Sequence, residues 1–319
     1  MSNPIPLLPT PKTILFDWHG TLVNTQDAMT AAMEEMLQQM EELGLVERLL
    51  PEDKCKTEDD VKLVRYIRIF RRLHPKILLE RRVSRTEIFN AIFGDDTEAK
   101  YLAHRAYNKC YRNYYGKVKP FQEGIREYLA SLKRLELHVG VATNRSREFL
   151  DHELRTVDDG SWPRLIDFTT CADDVTLYKP DPQIIRHALV NIDTYPRPDT
   201  WYVGDSNMDK VKTKNAGITA IFYNGGCWDM EGLRRSFQND PQHAPDAIIN
   251  SFDELMDLLE NCQQHDTLAF AKIVTKARPH HFPGPTPSPV RVEPDWHPSV
   301  VKLTPPKVIL FDWHATLVD

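Results

Sequence analysis

Four polar clusters in this sequence could do chemistry. Asp17 and His19 close the apolar run Ile14-Leu15-Phe16 and lead into Gly20 and Thr21, while Thr143, Asn144 and Arg145 follow Val139-Gly140-Val141-Ala142. Lys179 opens the stretch Lys179-Pro180-Asp181-Pro182, and Asp205 and Asp209 follow Trp201-Tyr202-Val203-Gly204. Three carboxylates with a lysine and a threonine hydroxyl describe a site for Mg²⁺ and a phosphoryl group. Oxygen ligands suit a hard cation, and a lysine with backbone N–H groups offsets phosphoryl charge. The competing explanation is that each aspartate merely caps a helix after a strand. That accounts well for Asp209 and poorly for Asp17.

These residues can cooperate only if the fold gathers them at one edge. Residues 13–18, 137–142, 167–171, 200–203, 218–223 and 247–250 read as strands, mostly short apolar runs of the kind found in parallel strands covered on both faces. Helical stretches at 121–134, 147–157 and 183–191, and one running on to Ala216, separate them, with Pro182 well placed at a helix start. Alternating strands and helices predict an α/β fold with a doubly wound parallel sheet, whose ligands bind at the carboxyl ends of the strands. Asp17, Thr143 and Asp205 all fall at such ends.

Residues 24–119 differ in character and predict an all-helical insertion, with helices at 28–43, 58–73, 84–93 and 97–115. Its Met29, Met33, Met36 and Met40 stripe reads as core. Residues 24–60 carry a balance of −8 and residues 61–119 a balance of +10. The plain explanation is that the two halves face each other or are simply solvated. The sharper one is a basic lid for a polyanionic substrate, with Arg65, Arg68, Arg71 and Arg72 as candidates. Tyr107, Tyr111, Tyr114 and Tyr115 at helical spacing read as packing before they read as a base-stacking platform.

The four motifs, in this order, resemble those of the haloacid dehalogenase-like superfamily, in the branch with a helical cap inserted after the first strand, similar to phosphoglycolate phosphatase and β-phosphoglucomutase. The resemblance covers roughly residues 11–260 and rests on Asp17-Trp18-His19-Gly20-Thr21, Ala142-Thr143-Asn144, Lys179-Pro180-Asp181-Pro182 and Gly204-Asp205-Ser206-Asn207-Met208-Asp209. It implies a Rossmann-like core, a phosphorylated small-molecule substrate, and Asp17 as a nucleophile that forms an aspartyl-phosphate. Asp17, Asp205, Asp209 and the backbone carbonyl of His19 would hold Mg²⁺. Thr143 and Lys179 would meet the transferring group, with Gly20, Thr21, Asn144 and Arg145 lining it. Phosphatases of the family usually have an aspartate where this chain has His19. A histidine can act as acid and base near neutral pH, so the first expectation is a phosphohydrolase. The alternatives are a phosphotransferase or slow enzyme that accumulates phospho-Asp17, and a binding or regulatory protein.

The remaining features bound these expectations. A chain of 319 residues with 41% apolar content can bury a substantial core in about two domains. The net charge of −6 argues against general nucleic-acid binding. Without a long apolar run or a signal-peptide pattern the chain reads as soluble and cytosolic, with no membrane partner. Five scattered cysteines read as reduced thiols. The expected organisation is a core of residues 1–23 and 120–268, an insertion of 24–119, a proline-rich linker of 269–306, and a repeat at 307–319. That repeat copies residues 12–24 nearly word for word, with Asp312 and His314 in the places of Asp17 and His19. It reads as the start of a second domain or as a strand for self-association.

Overall fold

In the computed structural model the described residues are 7–75, 77, 85–177, 179–226, 229–262, 274 and 279. The repeat at 307–319, and with it any self-association through that segment, lies outside them, as does nearly all of the expected linker. The described chain forms two compact units, one from residues up to Thr25 and from Val118 onward, the other from Gln26–Lys117.

In chain order the elements are β1 (Thr13–Phe16), β2 (Val23–Asn24), α1 (Gln26–Gln38), α2 (Glu58–Phe70), α3 (Arg85–Phe93), α4 (Thr97–Tyr111) and β3 (Lys119–Pro120). They continue with α5 (Ile125–Arg134), β4 (His138–Ala142), α6 (Arg147–Thr156), β5 (Phe168–Thr170), α7 (Gln183–Val190) and β6 (Thr200–Gly204). The last are α8 (Asn207–Ala216), β7 (Thr219–Tyr223), α9 (Met230–Asn239), β8 (Ala247–Ile249) and α10 (Phe252–Glu260).

Six strands form a parallel sheet in the order β5-β4-β1-β6-β7-β8. The chain builds outward from β1 to β5, then returns to pair β6 on the other edge of β1. The order therefore reverses at β1, and a crevice opens at the carboxyl ends of β1, β4 and β6. Register does the rest. Phe16 stands opposite both Val141 and Val203, so Asp17, Thr143 and Asp205 emerge within a residue or so of one level. The Asp17 N–H still donates to the Val203 carbonyl at 2.9 Å, which holds the first residue past β1 to β6.

The two faces of the sheet follow the period of two in a strand. Ile14, Phe16, Val139, Val141 and Val203 point into one core with Tyr128, Leu129, Phe252 and Leu255. Leu15, Ala142 and Tyr202 point into the other with Ile184, Ile185 and Leu189. Each such large apolar side chain contributes about 1.5–3 kcal/mol on burial. Phe16 stacks on Phe252 with ring centres 5.9 Å apart, so α10 anchors the strand that carries Asp17.

Several boundaries differ from the sequence expectation. The first strand ends at Phe16, α1 starts at Gln26 and stops at Gln38, and the expected helix 97–115 breaks into α4 and a 3₁₀ turn over Arg112–Lys117. Helix α5 starts at Ile125 because Gly124, at φ +81°, turns the chain just before it. Helices α9 and α10 were not expected. Nor was the antiparallel pair of β2 and β3, which sets Val23 opposite Pro120.

The unit of Gln26–Lys117 is helical, as its periodicity predicts. Met33, Met36 and Met40 are buried in it, as are Tyr107 and Tyr111, whose rings stack 5.9 Å apart. A capping box of Thr57 and Asp60 starts α2. Among the described residues, no helix is long and apolar enough to cross a membrane. Cys55, Cys110, Cys171 and Cys262 are free thiols, and burial pushes Cys171 and Cys262 up to about 12.

Candidate active site

Lys179 is the hinge of the site. Its Nζ lies 2.5 Å from Asp17 Oδ1 and 2.8 Å from Asp209 Oδ1, with all three side chains buried or nearly so. Two carboxylates on one ammonium are charge-assisted contacts at the short end of the range. Burial, and then Asp209, push the Asp17 carboxyl above its ordinary value, and Lys179 with Lys212 pulls against them. Burial would push the Lys179 ammonium down, but Asp17 and Asp209 outweigh it and hold it above its ordinary range. The Lys179 backbone is clamped in turn, because its N–H donates to Asn144 Oδ1 at 2.9 Å and its carbonyl accepts from Asn144 Nδ2 at 3.4 Å. Asn144, a candidate for lining the substrate, thus spends its amide on positioning Lys179.

Asp209 does two jobs. It is the third residue of α8, where its side chain and that of Ser206 form a capping box, with the Ser206 N–H donating to Asp209 Oδ2 at 3.2 Å. Capping is the role that the helix-cap explanation assigned to it. Its other oxygen, Oδ1, accepts from Lys179 Nζ, from the Tyr202 hydroxyl at 3.2 Å and from Lys212 Nζ at 2.6 Å. Burial would raise the Asp209 carboxyl, yet Lys179 and Lys212 win and hold it far below the usual carboxylate range. Neither Lys212 nor Tyr202 stood out in the sequence. The signal was there for Lys212 alone: a lysine three residues after an aspartate on a helix lies beside it.

Asp205 completes the cluster. Carboxylate oxygens of Asp17, Asp205 and Asp209 lie within 4.8 Å of one another. No ion pair to Asp205 occurs among the described residues, and burial followed by Asp17 and Asp209 pushes its carboxyl well above its ordinary value. Three crowded carboxylates, one of them without an ion pair among the described residues, fit a hard divalent cation. Gly20 makes room for them. It sits at φ +78°, and a Cβ there would stand 2.3 Å from Asp205 Oδ2.

His19 follows on the same turn, and its Nδ1 is hydrogen-bonded to Thr25 Oγ1. Burial, then Arg145 and Lys179, lower its imidazole from 6.5 to about 4. Arg145 does not stand free as a substrate contact. Its guanidinium pairs with Glu153, a fully buried carboxylate that also accepts from Trp18 Nε1 at 2.7 Å. Thr143 is buried, and its Oγ1 accepts from the Arg145 N–H at 3.3 Å. Thr21 is buried, and its hydroxyl has no hydrogen-bond partner among the described residues.

The basic candidates of the insertion are engaged inside their own unit. Arg65 pairs with Glu52 at 2.6 Å and Arg72 with Glu34 at 2.8 Å, while Arg68 Nη2 donates to the Leu50 carbonyl at 2.9 Å. Arg71 pairs with Glu41 at 3.0 Å. This is the plain explanation of the charge division, in which the basic half meets the acidic half. Such exposed pairs contribute little to stability.

A doubly wound parallel sheet with a lysine-bridged carboxylate pair and a third carboxylate at its switch point defines a class of α/β enzyme core. The family described as haloacid dehalogenase-like hydrolase matches residues 14–223, more than half of the chain, and the chain belongs to that family. Pyrophosphatase PpaX of Bacillus mycoides is 23% identical over 247 residues, which is 77% of this chain and 96% of that protein. Pyrophosphatase PpaX of Bacillus cereus (strain B4264) is 24% identical over 249 residues, 78% of this chain and 96% of that protein. The crystal structure of a predicted phosphatase from Clostridium acetobutylicum is similar with a TM-score of 0.54 at 20% identity, over 77% of this chain and 96% of that one, a likeness of fold.

Proposed function

We propose that this protein is a Mg²⁺-dependent phosphohydrolase acting on a small phosphorylated substrate through a covalent phosphoryl group on Asp17. The observation that carries the reading is Lys179, whose ammonium binds Asp17 and Asp209 at the carboxyl edge of the sheet while Asp205 stands beside them without an ion pair among the described residues. The Asp17 carboxylate attacks phosphorus and the leaving oxygen departs with the electron pair of its P–O bond. Water then attacks the acyl-phosphate, which releases phosphate and restores the carboxylate. His19 takes the acid–base place. Thr25 holds its Nδ1, which leaves Nε2 to move the proton. Lys179 keeps Asp17 oriented and offsets charge on the transferring group, and Thr143, at the end of the neighbouring strand β4, offers its hydroxyl to that group. Asp17 and Asp205, with Asp209 close by and the His19 carbonyl as a further oxygen, would hold Mg²⁺. When bound, the ion supplies charge neutralisation that lets a carboxylate approach a phosphate anion.

The relatives named as pyrophosphatases support a compact, highly charged substrate, and pyrophosphate heads the set to try. Purified protein with Mg²⁺ is expected to release phosphate from an aryl phosphate or from pyrophosphate. Chelation should stop it, and Asp17→Asn should lower it by at least about 10³-fold. Inactivity across sugar phosphates, nucleotides and pyrophosphate, with activity gained by His19→Asp, would make this chain a binding or regulatory relative.

A further inference from the structure

Lys212 is an extra cation in a site that already has one. Lys179 alone spans Asp17 and Asp209, yet Lys212 brings a second ammonium to Asp209 Oδ1, at 2.6 Å, with its side chain 0% exposed. The same ammonium lies 3.7 Å from the centre of the Tyr202 ring. Lysine almost never sits fully inside a protein without partners that compensate for lost water; burial pushes the Lys212 ammonium well below its ordinary range, Asp209 pulls it back up, and the carboxylate contact and the aromatic face are what hold its proton there. With Lys179, Tyr202 and Lys212 on Oδ1 and Ser206 on Oδ2, both oxygens of Asp209 are committed to the protein. Because it is out of solvent, Lys212 cannot touch a substrate.

We infer that Lys212 is a positioning residue that fastens Asp209 to the core and, as a resident positive charge in the acidic cluster, sets how tightly the site holds its divalent cation. The inference rests on the metal-dependent reading above. Its basis is elementary. A cation bound among Asp17, Asp205 and Asp209 feels Lys212 across a few ångströms of buried protein, where repulsion is much stronger than in water. It also finds one of the three carboxylates already spoken for. Removing the ammonium takes away the repulsion and frees a direction on Asp209 Oδ1, and both changes favour the cation.

Calorimetric titration of Mg²⁺ into the substrate-free protein tests this, because it reads affinity and not turnover. Lys212→Met keeps an apolar stem under Tyr202, Lys212→Gln keeps a donor for Asp209 without the charge, and Lys212→Arg keeps the charge. The Met and Gln variants are expected to bind Mg²⁺ about tenfold more tightly than the unaltered protein, and the Arg variant within about threefold of it. The Met variant should also melt lower without Mg²⁺ and gain more from its addition. Unchanged or weaker affinity in the Met and Gln variants would overturn the inference. Should Lys212→Met not fold, Lys212→Gln decides alone. An unaltered protein that binds no Mg²⁺ would overturn the metal-dependent reading itself, and this inference with it.

Discussion

Trp18 Nε1 donates to Glu153 Oε2 at 2.7 Å, so the neighbour of the Asp17 carboxylate is held by a residue 135 positions further along the chain. Glu153 also takes the Arg145 guanidinium and is entirely out of solvent. Three residues, from the turn after β1, the loop after β4 and α6, are thereby locked together, and the Trp18 ring meets the edge of Trp162 at 5.7 Å. Glu153→Ala leaves a largely buried arginine without its counter-charge, which typically costs about 3–5 kcal/mol. Urea unfolding of the variant, followed by tryptophan fluorescence, should show that loss. A cost under about 1 kcal/mol would mean that Arg145 reaches solvent or another partner when Glu153 is gone.

His19→Ala is expected to lower the rate of phosphate release by about 10²–10⁴-fold with the substrate KM little changed, as removal of a general acid–base does. Thr25→Val, which takes away only the partner of Nδ1, should lower it by about tenfold or less. Steady-state kinetics separates the two. Acid-quenched His19→Ala should also carry phosphate on Asp17, and its absence, with full activity, would remove His19 from the chemistry.

The helical unit has its own pH dependence. Burial, then Arg85 and Lys100, lower His104 from 6.5 to about 4. Below pH 6.5 the unfolded chain binds a proton at this imidazole, whereas the folded chain does not until about pH 4. Stability from this group therefore falls as pH drops from 6.5 to 4 and levels off below. His104→Phe removes the proton site and keeps an aromatic edge against Phe89, whose ring centre lies 4.8 Å from the imidazole. Thermal unfolding from pH 7 to 4 should show the variant gaining on the unaltered protein as acid is added. A constant difference would show that His104 titrates normally.

How far the sequence carries depends on the physics at each place. Uniformly apolar strands between helices gave the parallel sheet, and the strand ends gave Asp17, Thr143 and Asp205 their common edge, because strand register is a matter of counting residues. The spacing of three residues on a helix points from Asp209 to Lys212, but nothing in a sequence shows that Lys212 or Glu153 is a buried charge and not one of the many exposed ones on amphipathic helices. Asn144 and Arg145 looked like ligand contacts, yet their partners are Lys179 and Glu153, chosen by loop geometry that no periodicity encodes. The pair β2–β3 involves two residues on each side, too few to carry a pattern. In the insertion, the opposed charges of its two halves were visible, and Arg65–Glu52, Arg71–Glu41 and Arg72–Glu34 are that opposition in contact.

Gly20→Ala is expected to cost about 1–2 kcal/mol for placing a side chain at positive φ. Its larger effect falls on Asp205, which must move to admit a Cβ that would stand 2.3 Å from its oxygen. Mg²⁺ affinity and phosphate release should both drop by more than the stability loss explains, as calorimetry and kinetics on the folded variant would show. If both survive, the turn has slack that the geometry does not suggest.

The same spot bears on the second copy of the opening motif. At the position matching Gly20, residues 307–319 carry Ala315. Were that segment to stand in for β1 and its turn, in this molecule or in a neighbour, its methyl group would arrive where the Asp205 carboxylate belongs. The duplicate has the aspartate and the histidine but brings a wedge with them. Such an exchange would disarm the site and would not rebuild it.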